Sequence, residues 1–495
     1  MARYLNAYLL DVERETNALI DAKPSRTYTI NRLSDLPAPN ASGQIQLDGT
    51  SHYQIRSDID IGSNQIVAYL GTKISGEIAQ RDIIRSSNAT SVITCDGGGV
   101  FTTFIIEGII QLINSAGNGI YYEDNAYLIM FDCLMSTPNT KSAVIANGGA
   151  AVQIRGWTPQ TSNIGLDVRG SMAFGSIVDR VNTNTLSGVG LKFGDNGATS
   201  NVGILQLSNL NFTSAGDAIQ VNGKSTSILM TDNRMVTTAG NGFVINNTVG
   251  NKVDNLFVSN INISATGGNA FDMSAGYIDS ASISKGLMET KTGANFAIKG
   301  VSTSSNISTR FGIDGVTLRN TVTTANILSG ITIKDTRVRF ENCPGVGDTK
   351  QQGSCYITTS GDTQASVSTT YLKVTPSVSS TAGELSKFTH TSPYKLTYNG
   401  IEPYVGRVGF DASIAQNSGT AKKIFLAIYK NGTQLTPTNQ TFNGGDSANN
   451  RTVPISITAD VTLNTNDYVE LYVKIESGTQ TITYDVLNFR CEDSL

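Results

Sequence analysis

The chain has 495 residues, 39% hydrophobic and only 15% charged, with 49 glycines, 11 prolines and a formal net charge of −4. That charge lies well below the ~25% of an ordinary soluble domain, so the surface is polar through Ser, Thr and Asn rather than ionic. A Glu/Lys/Leu-rich coiled-coil rod and a strict-period collagen are excluded, disorder is disfavoured by the plentiful apolar residues, and the lack of clustered Lys or Arg leaves no basic face for nucleic acid.

The first twenty residues include Arg3, Asp11, Glu13, Arg14 and Glu15, which leaves no signal-peptide core. Leu5, Leu9, Val12, Thr16 and Leu19 follow at spacings of four, three, four and three, so residues 1–23 predict a short amphipathic helix ended by Lys23-Pro24. So few heptads do not hold chains together alone. Two readings stay open: a helix packed on its own domain, or an anchoring or trimerising helix that uses those five residues. The most apolar run, Phe104 to Ile113, is short and contains Glu107, so no membrane insertion is expected.

An internal repeat fills the middle of the chain. Ser162, Thr185, Thr213, Thr237, Ser264 and Thr290 each precede a glycine by three positions, and those glycines (Gly165, Gly188, Gly216, Gly240, Gly267, Gly293) lie 23, 28, 24, 27 and 26 residues apart. Asn114-x-x-Gly117 is an earlier copy. A short alternating strand follows most of these glycines, for example Leu191-Lys192-Phe193 or Phe243-Val244-Ile245. A second strand recurs half a period later and carries a polar residue near its end, such as Asn209, Asn260 or Asp314. Strands with a period near 25 residues and small turn residues describe a parallel β-helix, each rung stacked about 4.8 Å above the last. Its inward positions are apolar, its turns favour stacked Asn, Ser, Thr and Gly, and glycine is expected to supply positive φ at sharp corners. The shaft with its N-terminal cap is assigned to residues 24–345.

Residues 346–385 are rich in Ser, Thr, Gly and Gln and read as a neck or linker. Tyrosine then marks a new domain over 386–495: only Tyr277 lies between 128 and 355, and nine tyrosines follow Cys355. Ile424 to Lys430 reads as a strand entering an Asn431-Gly432 type I′ turn, Val469, Leu471, Val473 and Ile475 alternate in a half-buried strand, and Thr481 to Phe489 makes a last one. Without a βαβ rhythm, these predict an antiparallel sandwich or jelly roll. The fold class is therefore all-β: a right-handed parallel β-helix, then a C-terminal antiparallel β-sandwich, with a short N-terminal helix.

The Ser/Thr-x-x-Gly rungs over roughly 45–345 resemble the β-helix shaft of bacteriophage fibre and tailspike proteins. Ala427-Ile-Tyr-Lys-Asn-Gly-Thr433 and Leu463-Asn-Thr-Asn-Asp-Tyr-Val-Glu-Leu-Tyr-Val473 resemble the jelly roll of the tumour-necrosis-factor and complement type. The resemblance implies a homotrimeric virion protein, made in the host cytoplasm, joined to other virion proteins through its N-terminus and contacting a host surface polysaccharide or protein through a jelly-roll tip. It supplies no catalytic motif, and it departs from better-known tailspikes in having no sizeable head-binding domain before the repeats.

Setting Val258 against Ile283 brings Asp254 and Asp279 to the same height on consecutive rungs, about 5 Å apart, the separation of acid and nucleophile in a retaining glycosidase. Arg310 falls close to the equivalent position one rung on. Two strand-edge aspartates facing water give the same pattern, and aromatic platforms for sugars are scarce between 130 and 340. Trp157, the only tryptophan, suits either stacking on a sugar ring or filling a corner of the shaft. Asp217 in the turn stack reads as a ladder position, and Asp96 in Thr-Cys-Asp-Gly-Gly-Gly99 as a turn without the Lys-Ser/Thr of a phosphate loop. His52 and His390 form neither a metal site nor a catalytic pair, and Cys95, Cys133, Cys343, Cys355 and Cys491 read as free thiols, with one Cys343–Cys355 loop as the alternative. No cofactor or metal is implied. The expected function is that of a host-binding tail fibre or spike without enzymatic activity. The alternatives are a depolymerase of capsule or lipopolysaccharide acting through Asp254 and Asp279, and a head fibre or decoration protein.

Overall fold

The computed structural model describes residues 26–493 except 70, 79, 96–101, 124–125, 161, 184–185, 196–199, 248–251, 301–306, 324–325, 332–336, 347–350, 358, 378–379, 392, 401–402, 417–421, 436–439 and 444–452. The predicted helix with Leu5, Leu9, Val12, Thr16 and Leu19 lies outside the described residues, as does Asp96. Contacts divide the chain into two units, one reaching to Ile331 and joined by Asn342–Val346, the other holding the C-terminal residues.

The first unit is a parallel β-solenoid of about eleven turns. Its order comes from strands that pair with the equivalent strand one rung later, so residues of like character stack. One column runs Tyr53, Ile74, Ile106, Met130, Ile154, Val178, Leu207, Met230, Val258, Ile283 and Ile313, each a register partner of the next. All are buried. A second column, from Ile45 through Ile66, Ile93, Ile120 and Val144 to Leu166, Leu191, Ile219, Phe243 and Phe271, lines another side. Within it the rings of Phe243 and Phe271 stack at 5.1 Å, and Phe311 adds to the stack 6.3 Å from Phe271. In-register burial on successive rungs makes the core continuous where no single rung has enough apolar surface to fold alone.

Two kinds of corner separate these columns. Two residues after each member of the first column from Ile106 onward, the backbone turns left-handed: Gly108, Asp132, Gly156, Arg180, Asn209, Asp232, Asn260, Lys285 and Gly315 all have φ between 50° and 76°. Asn209 and Asn260 thus occupy the corner expected of a polar residue, and each amide reaches back one rung, Asn209 Nδ2 to Asp179 Oδ1 at 2.8 Å and Asn260 Nδ2 to Asp232 Oδ1 at 2.6 Å. The repeat glycines sit at a different corner and serve a different purpose from the one expected. None of Gly165, Gly188, Gly216, Gly240, Gly267 and Gly293 has positive φ; instead a Cβ on Gly240 would stand 2.2 Å from the backbone of Gly216, and one on Gly267 2.5 Å from that of Ala239. Stacked turns approach too closely there for any side chain.

Polar ladders run beside the apolar columns. Asp217 Oδ1 accepts the Asn241 backbone N–H at 2.6 Å, Asn241 Oδ1 accepts that of Asn269 at 2.8 Å, and Asn269 Oδ1 accepts that of Phe296 at 2.8 Å. Asp217 is therefore a ladder member. On another side Ser264, Glu289 and Arg319 are register partners, with Ser264 Oγ donating to Glu289 Oε1 at 2.8 Å and Arg319 Nε to Oε2 at 2.7 Å. Burial alone would raise the Glu289 carboxyl, but the Ser264 hydroxyl, Arg319 and Lys291 outweigh it and hold it below the ordinary glutamate range.

The second unit is two antiparallel sheets around one core. The first sheet orders Thr381–Ser386, Gln352–Tyr356, Gln480–Asp493, Tyr404–Gln416 and Val453–Leu463, and the second Phe388–Thr391, Lys395–Tyr398, Tyr468–Ile475 and Lys423–Lys430. From Tyr404 onward the long strands alternate between the sheets, which is the habit of a jelly roll. The Asn431-Gly432 turn has positive φ at both residues, as type I′ requires, and joins Lys430 to Thr433. The linker reading of 346–385 is corrected: Gln352–Tyr356 pairs with Gln480–Asp493, Asp362–Val367 lies on the same strand, and Leu372–Lys373 pairs with Tyr468–Ile475. The Ser/Thr/Gln composition fits strands with one wet face, and Cys355, Val367 and Val374 supply the buried one.

Two measurements check these assignments. Asn260→Ala loses the amide bond and puts a Cβ-bearing, non-Asn residue in left-handed backbone, an expected cost of about 1–2 kcal/mol for strain and about 1 kcal/mol for the bond. Asn260→Gly keeps the backbone relaxed and costs less in thermal denaturation; equal losses would remove the strain from this account. Because the Glu289 carboxyl is depressed, its contribution is fully present above the unfolded value near ~4.3 and lost as pH falls through the folded value. Glu289→Gln should therefore flatten the acid-side fall of the melting midpoint, and an unchanged slope would show that Glu289 is not linked to it.

Candidate functional site

The two strand-edge aspartates lie where the alignment puts them. Val253 pairs with Ile278 and Asn255 with Ser280, so Asp254 and Asp279 face each other on adjacent strands. Asp279 is already engaged: Lys252 Nζ and Thr309 Oγ1 both donate to its Oδ1 at 3.1 Å. Arg310 lies close to the pair, opposite Ser280 and one position along from Asp279, with its side chain exposed. Both bonds fall on one carboxylate oxygen of Asp279, and the nearby Lys252 ammonium favours its ionised form.

Trp157 is not a sugar platform. It is fully buried in the strand Ser142–Gln160 with Val181 as register partner, and its indole N–H has no hydrogen-bond partner among the described residues. It follows the corner residue Gly156 by one position, as Cys133 follows Asp132 and Val181 follows Arg180, and all three are buried in one column. That spacing of 24 residues on either side was the signal that would have placed it inward. His52 Nε2 contacts Ser75 Oγ at 2.7 Å and His390 Nε2 contacts Ser380 Oγ at 2.8 Å. All five cysteines are buried free thiols, and burial pushes the Cys355 thiol up to about 12.

A cleft of about 410 Å³ on the solenoid is lined by Gln65, Thr90, Ser91, Thr94, Asn118, Tyr121 and Arg169 among others. Gln65 Nε2 donates to the hydroxyls of Thr90, Ser91 and Thr94, so the polar groups largely satisfy one another. Among the described residues, no carboxylate lines it.

The most chemically distinctive surface lies on the C-terminal sandwich, the tyrosine-rich part of the chain expected to meet a receptor, although none of its residues was singled out by the sequence. In the second sheet Ile424, Leu426, Ile428, Val469, Leu471, Val473 and Ile475 point into the core, so strand alternation turns Phe425, Tyr429, Tyr468, Glu470, Tyr472 and Lys474 outward. Register brings them together: Phe425 opposite Lys474, Tyr429 opposite Glu470, Lys373 opposite Tyr472 and Lys395 opposite Glu470. Tyr429 and Tyr472 stack at 3.9 Å and Tyr371 meets Tyr429 edge-on at 5.9 Å. Lys474 Nζ lies 4.5 Å from the Tyr371 ring centroid and 5.0 Å from that of Phe425, and Lys395 Nζ lies 3.7 Å from that of Tyr468. All five rings are half-buried. Desolvation raises the phenols of Tyr371, Tyr429 and Tyr472, and the adjacent Glu470 carboxylate adds to this at Tyr472. Glu470 is itself covered and ion-paired with Lys373. Flat rings ringed by ammonium groups can take the apolar face of a sugar and its polar substituents together.

No protein-family model and no curated protein matches the chain. Among solved structures it is similar to a double mutant of the tailspike protein of E. coli bacteriophage HK620, at 10% identity and TM-score 0.40, covering 95% of this chain and 86% of that one. The enzymatically active domain of bacteriophage CBA120 tailspike protein 4 is similar at 10% identity and TM-score 0.22 over 92% and 65%. The PRD1 vertex protein P5 is similar at 10% identity and TM-score 0.22, over 30% of this chain and 100% of that one. At such TM-scores these likenesses carry no argument, and the fold rests on the strand pairing above.

The burial of the single tryptophan is directly testable. Its emission should be blue-shifted, resistant to an aqueous quencher and unmoved by any polysaccharide; a quenchable or ligand-sensitive signal would return Trp157 to the list of binding residues.

Proposed function

We propose that the protein is a phage virion component, a homotrimeric tail fibre or spike that binds the host cell surface and carries out no chemistry. The aromatic and lysine face of the C-terminal sandwich carries this reading. A solenoid of stacked rungs supplies a stiff element whose length is set by rung number rather than by charge or metal, and the sandwich supplies contact groups suited to carbohydrate. Weak contacts of this kind become strong when three copies act together. Free buried thiols agree with folding in a reducing host cytoplasm. The depolymerase reading is favoured by one observation, the in-register Asp254 and Asp279.

Incubating the purified full chain with a panel of host capsules and lipopolysaccharides, with mass read by light scattering and reducing ends counted, separates the readings. The expected result is a three-chain mass that binds polysaccharide without cleaving it. Reducing ends released by the wild type and lost in Asp254→Asn or Asp279→Asn would make the protein a depolymerase. Neither binding nor cleavage would overturn the receptor-binding reading.

A further inference from the structure

Charge on the sandwich face is unevenly matched. Of the lysines on or beside it, Lys373 is paired with Glu470, Lys430 with Asp467 and Lys423 with Glu476. Lys395 and Lys474 have no carboxylate within ion-pair distance among the described residues; their ammonium groups lie over aromatic rings. They stand at separate heights on the same face, since Lys395 is in register with Glu470 and Lys474 lies four residues further along that strand, about 13 Å away at the rise of a β-strand. Tyr472 and Tyr429 fill the surface between them. The face thus offers two lysines without an ion-pair partner among the described residues, on either side of the stacked Tyr429–Tyr472 pair.

We infer that this face selects acidic polysaccharide, with sugar rings lying on Tyr429 and Tyr472 and carboxylates of uronate-type residues reaching Lys395 and Lys474. This rests on the host-binding reading above and names its ligand class. A ring–ammonium contact holds each lysine in place while leaving its N–H donors for a charge-assisted bond. A neutral glycan would use the platform and leave both cations unmatched. A second copy of the chain on this face would bring like charges together, whereas a polyanion neutralises them, so charge complementarity favours the polyanion.

The test uses the full-length protein and acidic capsular polysaccharides, each paired with its carboxyl-reduced neutral form. Affinity is measured at low and high salt. Carboxyl reduction should weaken binding about tenfold or more, and Lys395→Gln and Lys474→Gln should each weaken the acidic form by about tenfold, the scale of one charge-assisted hydrogen bond, while leaving the neutral form unchanged. Tyr429→Ala should weaken both forms, and added salt only the acidic one. Both lysine variants should keep the wild-type melting midpoint, which separates lost recognition from lost folding. Equal binding of acidic and reduced forms would overturn charge selection and leave host binding intact. Failure to bind any polysaccharide would remove the host-binding reading and this inference with it. A change in scattering mass on Lys474→Glu would assign the face to contacts between copies and overturn the inference.

Discussion

Backbone hydrogen bonds between one strand and its equivalent a turn later govern everything else in the solenoid. They fix the vertical spacing at about 4.8 Å, and at that spacing a side chain has little choice of neighbour above and below. Apolar residues therefore collect over apolar residues, as from Tyr53 to Ile313. A carboxamide over a carboxylate or another carboxamide becomes a relay, as from Asp217 to Phe296. Where two turns come closer than a Cβ allows, glycine is the only solution, as at Gly216 beneath Gly240. The low ionic content of the chain follows, because rows of like charge at that separation would repel.

The same constraint explains what was legible in the sequence. Stacking repeats at every turn, so the period near 25 residues was visible from the Ser/Thr-x-x-Gly series alone, and alignment of Val258 with Ile283 gave the true register. Legibility failed where one rung departs from the average. A one-residue bulge lies between Ile278 and Ser280, just where Asp279 meets the next rung, and no pattern in the sequence marks it. Glycine supplies positive φ at the left-handed corners Gly108, Gly156 and Gly315, where Asn and Asp also serve, but Arg180 and Lys285 hold the same corner without that signal, and the repeat glycines answer close approach instead. Trp157 reads as ambiguous by itself and as inward once Cys133 and Val181 are placed beside it.

In the sandwich the limits are different. Alternation along Val469 to Ile475 declared the buried face, and with it the outward Tyr468, Glu470, Tyr472 and Lys474. The platform depends on which strands lie next to them, and Phe425, Tyr371 and Lys395 come from 43 to 103 residues away in sequence. No local pattern encodes that adjacency. The strands of 352–386 were similarly hidden, since short strands rich in Ser, Thr and Gln carry only a few buried residues, such as Cys355 and Val367, to mark them.

The left-handed corner has a consequence for how such a rod changes over time. Its position is set by the buried residue two places before it, while its own side chain points away from the core; the described examples include Asp, Arg, Asn, Lys and Gly. The flank of the solenoid is thereby uncoupled from its interior. Successive rungs can exchange acid for base or amide at this edge for about a kilocalorie of backbone strain each, without altering rod length, register or packing. A lineage could repaint one edge of an unchanged rod, and meet new neighbours with it, while the hydrophobic columns stayed under constant selection.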